Sequence, residues 1–144
     1  MVTEDQKQQL LLAACQVRER AYAPYSNYPV GAAILTAEGQ IFTGVNVENA
    51  VYGLGICAEQ SAVFSAVAAG VQRIVAVAVC TENAGSPCGG CRQVLSEFGG
   101  DMLVLMSDTQ GHVRETNLLI LFPDQFGPEH LPKTDASGPK HLAE

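Results

Sequence analysis

Between residues 57 and 91 the chain sets three thiols and one carboxylate in two short clusters, Cys57-Ala58-Glu59 and Pro87-Cys88-Gly89-Gly90-Cys91, separated by an Ala/Val-rich segment. Three thiolates suit a tetrahedral, sulfur-accepting ion such as Zn²⁺. Taken as one site, the two clusters must meet in the folded chain, and three protein ligands instead of four leave one position open for a reactive water. That is the arrangement of catalysis rather than scaffolding. Both clusters fall at expected helix starts, where unpaired N–H groups and the helix dipole favour a thiolate over a thiol. Cys88 and Cys91, three apart, project from one side of a first turn, and the glycines between them keep side chains off the ion. Glu59, two residues beyond a ligand, can reach a metal-held water without binding the metal and can move its proton. Two simpler readings compete: Cys88 and Cys91 as a redox dithiol, and Glu59 as a helix-start acid matching the dipole. The distant third thiol, itself followed by an acid, favours zinc over both.

A chain of 144 residues supports one well-buried core and not two. Its 47% hydrophobic and 16% charged residues fit a compact globule. The net charge of −7, from 8 basic and 15 acidic side chains without a basic cluster, repels nucleic acid, so the expected partner is a small molecule. No apolar run approaches the roughly 18 residues of a membrane span. The polar start, Met1 to Lys7, lacks the pattern of an export signal, which gives a cytoplasmic protein as the expectation. Five cysteines in such a chain point to metal ligation or buried thiols rather than to disulfides. Cys15 and Cys80, outside the clusters, are expected to be ordinary core residues. His112 reads as an edge-strand surface residue, and His130 and His141 as tail residues, none of them a metal ligand.

Thr3-Glu4-Asp5-Gln6 spells a capping box, so a helix starts there, and its apolar stripe runs through Leu10, Leu11, Ala14, Val17 and Ala21 to end before Pro24. A turn-rich loop with Tyr25 and Tyr28 follows. Val30–Thr36 and Gln40–Val47 read as a hairpin about Glu38-Gly39. Alternation at its end puts Asn46 and Glu48 on one face, where an amide and a carboxylate can grip hydroxyl groups together, or merely start a turn. A flexible loop over 50–56 delivers Cys57 to a helix that ends at Gly70, made slim by Ala58, Ala62, Ala66 and Ala69. Arg73–Cys80 reads as a central strand buried on both faces. Cys88 then opens a third helix through Phe98, Met102–Ser107 is another buried strand, His112–Glu115 a short edge strand, and Leu118–Phe122 a brief helix or 3₁₀ turn. One domain over residues 1–127 is expected, with 128–144 a poorly ordered polar tail.

With Ala21-Tyr-Ala-Pro-Tyr-Ser26, Val30-Gly-Ala-Ala33, Thr43-Gly-Val-Asn-Val-Glu-Asn49, Cys91-Arg-Gln-Val94 and Leu121-Phe-Pro123 beside them, the two clusters resemble the zinc-dependent cytidine deaminase family. The resemblance covers residues 20 to 100 and the Phe126 region. It implies an α/β fold, a three-layer α/β/α sandwich about a mixed five-stranded sheet, and one Zn²⁺ per subunit held by Cys57, Cys88 and Cys91. Glu59 would move the proton from the attacking water to the ring N3 and the departing amine. Asn46 and Glu48 would hold the ribose, Tyr28 would stand near the base where the family usually has a phenylalanine, and the Ala58 backbone would hold the pyrimidine. Tyr52 and Phe126 would belong to sites shared between the subunits of a homotetramer. One departure concerns charge. Members with three cysteines usually carry an arginine after the Cys-Ala-Glu triplet, and here Gln60 follows, which can donate but brings no charge. Arg92 is then the one obvious cation beside a ligand and is expected to offset the thiolates. The implied reaction is hydrolytic deamination of cytidine and deoxycytidine, with a modified, N4-substituted or antibiotic cytosine nucleoside as the alternative substrate, and a structural zinc or redox module as the alternative from another class.

Overall fold

Thr3 caps the first helix as its sequence predicts, its side chain accepting from the Gln6 N–H while Gln6 reaches back to the Thr3 N–H. This helix, α1 (Glu4–Arg18), is the first element of a computed structural model that describes residues 1–132. The hairpin follows as β1 (Gly31–Thr36) and β2 (Ile41–Val45), with Gly39 at φ 88° in the turn. A 3₁₀ turn at Tyr52–Leu54 sits inside the loop expected to be flexible. Then come α2 (Ala58–Ala68), β3 (Ile74–Cys80), α3 (Gly89–Gly99), β4 (Leu103–Ser107), β5 (Val113–Asn117) and the single turn α4 (Leu118–Leu121).

The sheet runs β2-β1-β3-β4-β5, antiparallel except for the β3–β4 pair, which α3 connects. Two-residue alternation divides its central strands between two cores. Ala32, Ile34, Val77, Val79, Val104 and Met106 face α2 and α3, while Ala33, Leu35, Ala76, Ala78, Cys80 and Leu105 face Leu10 and Ala14 of α1. The three layers and the mixed five-stranded sheet agree with the fold that the motifs imply. Small residues set the spacing of those layers. A Cβ on Gly44 would lie 2.3 Å from Ala62 N and 2.5 Å from Ala58 O, so β2 touches the α2 backbone where only glycine leaves room. Gly44→Ala should therefore destabilise the protein by about 3 kcal/mol or more, since backbone cannot yield as a rotamer does. Chemical unfolding of the variant measures this, and an unchanged midpoint refutes it.

Cys15 and Cys80 depart from expectation. They are joined as a disulfide between α1 and the end of β3, with Cα atoms 5.2 Å apart and 65 residues between them in sequence. Three of the five thiols, Cys57, Cys88 and Cys91, are free, which makes the total odd, and the remaining two face each other across the α1 side of the sheet. At the other end, Pro128–His130 forms a 3₁₀ turn with the His130 ring stacked on Phe126, in a stretch expected to be poorly ordered. The rest of that expected tail, 133–144 and His141 with it, lies outside the described residues. Among the described residues no helix is long and apolar enough to cross a membrane.

Candidate functional site

Cys57 and Cys88 are the N-cap residues of α2 and α3, each with extended backbone, and these two helices pack together on one face of the sheet. Cys88 caps its helix with its own sulfur, which accepts from Cys91 N–H at 3.4 Å. Extended caps turn both side chains toward one point, and Cys91, one turn into α3 and fully buried, completes it from beneath. The three Sγ atoms lie within 4.8 Å of one another. Three sulfurs at about 2.3 Å from one tetrahedral ion stand roughly 3.8 Å apart, so donor type and spacing both fit Zn²⁺.

The sulfurs share protons in a way that reflects this crowding. The Cys91 thiol, donating to the Cys57 sulfur, holds Cys57 down at about 6. The same pairing, with burial added, pushes Cys91 upward. Glu59, in the first turn of α2 and 5% exposed, is raised above its ordinary 4.5, chiefly because burial penalises its charged form.

Cys57, Cys88, Ala58 and Glu59 open onto a cavity of about 380 Å³, a volume suited to a small molecule. Asn46, Glu48, Tyr28 and Tyr52 line it as well. Alternation does bring Asn46 and Glu48 to one place, yet both already have partners in the chain. Asn46 Oδ1 accepts from Val30 N–H at 2.8 Å and Asn46 Nδ2 donates to the Tyr28 carbonyl at 2.9 Å. The Glu48 carboxylate accepts from the Tyr25 and Ser26 N–H groups at 2.9 and 3.1 Å and from the Ser26 hydroxyl, which holds it below the usual carboxylate range. Each keeps capacity to spare, one hydrogen on Asn46 Nδ2 and lone pairs on Glu48. Ser26, Thr81, Gly85 and Ser86 also line the cavity, and sequence reasoning passed over them. Polar turn residues carry no spacing signal, though Ser26 stands in the very loop whose tyrosines drew notice.

Three residues lie apart from the cavity wall. Phe126 is half-exposed, and its carbonyl accepts from Gln93 Nε2 at 3.0 Å. Gln60 donates to Cys91 Sγ at 3.8 Å, a neutral amide against the buried sulfur. Arg92 corrects an expectation. Its guanidinium does not reach a cysteine; it donates to the Pro87 carbonyl at 2.8 Å, the Leu121 carbonyl at 2.6 Å and Ser86 Oγ at 2.9 Å. Two carbonyls left free at a loop and at the end of α4 claim it. Arg92→Ala should therefore cost about 1–3 kcal/mol of stability and leave zinc content unchanged, which thermal melting and metal analysis read separately.

A model of the cytidine and deoxycytidylate deaminase zinc-binding region matches residues 4–107. The cytidine deaminase of Sporosarcina psychrophila is 43% identical over 127 residues, 86% of this chain and 93% of the relative. That of Mycobacterium tuberculosis (strain H37Rv) is 45% identical over 123 residues, 83% and 89% of the two chains. Among solved structures, the cytidine deaminase from Burkholderia pseudomallei is 50% identical with a TM-score of 0.79, covering 83% of this chain and 98% of its own.

Proposed function

Since the chain belongs to the cytidine and deoxycytidylate deaminase family, we infer that its reaction is the hydrolytic deamination of free cytidine and deoxycytidine to the uridines and ammonia. One observation carries this reading: a buried carboxyl, Glu59, faces the same cavity as two zinc-ligand sulfurs and the Asn46–Glu48 pair. Cys57, Cys88 and Cys91 would hold the ion. Bound zinc supplies Lewis acidity, which makes water a nucleophile at neutral pH. The chain's own residues do the rest. Glu59 accepts the proton of the attacking water, delivers it to the ring N3, and later gives a proton to the departing amine. Its burial raises its proton affinity, which suits a group that must carry a proton and not merely repel it. The spare capacity of Asn46 and Glu48 takes the ribose hydroxyls, Tyr28 bounds the base, and the Ala58 backbone, at the α2 N-terminus, holds the pyrimidine. The unsubstituted base is preferred to the modified-cytosine alternative because the relatives that match at high identity are cytidine deaminases.

The catalytic unit is the domain of residues 1–127, and it works as a homotetramer with shared sites. Val51, Tyr52 and Leu54 beside the cavity and Phe64 and Val67 on α2 are exposed apolar side chains that an assembly would cover. In it Phe126 would close a neighbour's site. A cytoplasmic setting goes with the supply of free nucleosides, although the Cys15–Cys80 bond is unusual for a reducing compartment. Incubating the purified protein with cytidine and following loss of ultraviolet absorbance with equimolar ammonia tests the reaction. No turnover of cytidine or deoxycytidine by zinc-replete protein overturns it.

A further inference from the structure

Residues 81–87 carry the chain from β3 to Cys88, and within them Ala84 has φ 54°, a left-handed conformation that costs energy in any residue with a Cβ. Hydrogen bonds bracket the strained residue. Before it, Asn83 Oδ1 accepts from Tyr28 Oη at 2.5 Å and from Thr81 Oγ1 at 3.3 Å. After it, Gly85 N–H donates to the same Thr81 Oγ1 at 2.7 Å. Thr81 is buried and anchored to the sheet by its N–H on the Ser107 carbonyl. The tyrosine hydroxyl also packs against the loop backbone, for a Cβ on Gly85 would lie 2.7 Å from it.

Tyr28 is fixed from the opposite side by the groups that face the nucleoside. Its carbonyl accepts from Asn46 Nδ2 and its N–H donates to Ser26 Oγ, which donates in turn to Glu48. One side chain thus ties the Asn46–Glu48 wall of the cavity to the loop wall opposite. A phenylalanine there would keep the ring and lose both contacts of the hydroxyl. The far end of the loop is held independently, because Arg92 grips Ser86 and Pro87.

We propose that the Tyr28 hydroxyl, acting through Asn83, is a positioning group that holds the 81–85 wall of the cavity in its strained form, so that nucleoside affinity depends on it more than the chemical step does. The division follows from place. The wall meets substrate before and during reaction alike, whereas Cys57, Cys91 and Glu59 stand on helices the clamp does not touch, and loss of uniform binding raises KM without lowering kcat. The kinetic half rests on the deaminase reading; the structural half does not.

The test uses zinc-replete protein as wild type, Tyr28→Phe, Asn83→Ala and the double variant, with hydrogen exchange over residues 82–86 and cytidine kinetics. Each single variant should speed exchange at the Gly85 amide about fivefold and raise KM about fivefold, the factor carried by one net hydrogen bond. The expected change in kcat is less than twofold, and the double variant should match the singles because both break one chain of contacts. Unchanged exchange, faster exchange without a change in KM, a loss confined to kcat, or effects that multiply in the double variant would each overturn it. A wild type that leaves cytidine untouched would sink the deaminase reading, and the exchange result would still decide whether the clamp exists.

Discussion

Glu59→Gln should lower kcat for cytidine by about ten-thousand-fold, the upper range of what one general acid–base supplies, while zinc content and KM change little. The substitution keeps the volume and replaces a titratable proton with a neutral amide, so a group that shuttles protons loses kcat, whereas an acid that only matches the α2 dipole would cost a little stability and leave kcat in place. Its effect on stability has a sign that separates these roles further. Glu59 is buried and its folded pKa is raised above 4.5. A raised value means that the folded state binds the proton more tightly than the unfolded one. The resulting stability is fully present below the unfolded value and is lost as pH rises through the folded one. Zinc-free wild type should lose melting temperature across that window, and zinc-free Glu59→Gln should melt at a more constant temperature there. Equal slopes for the two proteins would mean that Glu59 ionises freely, and a loss of kcat below tenfold would remove it from the proton path.

How the helices begin was legible in the residues themselves. A cap and its third residue share one turn, so Thr3 with Gln6, and Cys88 with Cys91, state their geometry in four positions, and both appear as written. Strand assignments carried similarly, because the unbroken apolar run within Arg73–Cys80 requires a partner layer on each face. Long-range choices of side chains did not carry. Arg92 follows a ligand in sequence, but its direction is decided by the Leu121 carbonyl 29 residues away. Cys15 meets Cys80 only through the rotation of α1 over the sheet, which no spacing records. The Tyr28–Asn83 contact joins positions 55 apart, between two loops that periodicity leaves blank.

Stripping zinc from the protein should abolish turnover and lower the melting temperature by about 10 °C or more, since an ion that binds only the folded chain contributes its binding free energy to folding. The metal-free site shows why the dependence is steep. Two other thiols and Glu59 crowd around a fully buried Cys91, and without a cation one sulfur is driven toward thiolate and its neighbour away from it. Arg92 gives no relief, being bound to carbonyls, and among the described residues the one side-chain donor to Cys91 Sγ is the neutral Gln60 amide. Cys91→Ser should behave as the stripped protein does, because a serine hydroxyl is a poor ligand beside two thiolates. Gln60→Ala should release zinc faster to a chelator, about fivefold for one lost hydrogen bond, whereas Gln60→Arg, placing a cation against the sulfur, should release it more slowly. Chelator-competition rates on wild type and the two Gln60 variants give the order directly, and metal content together with melting temperature reads Cys91→Ser. If Gln60→Arg releases zinc faster than wild type, the site is not short of positive charge, and the thiolates are balanced by the two helix N-termini alone.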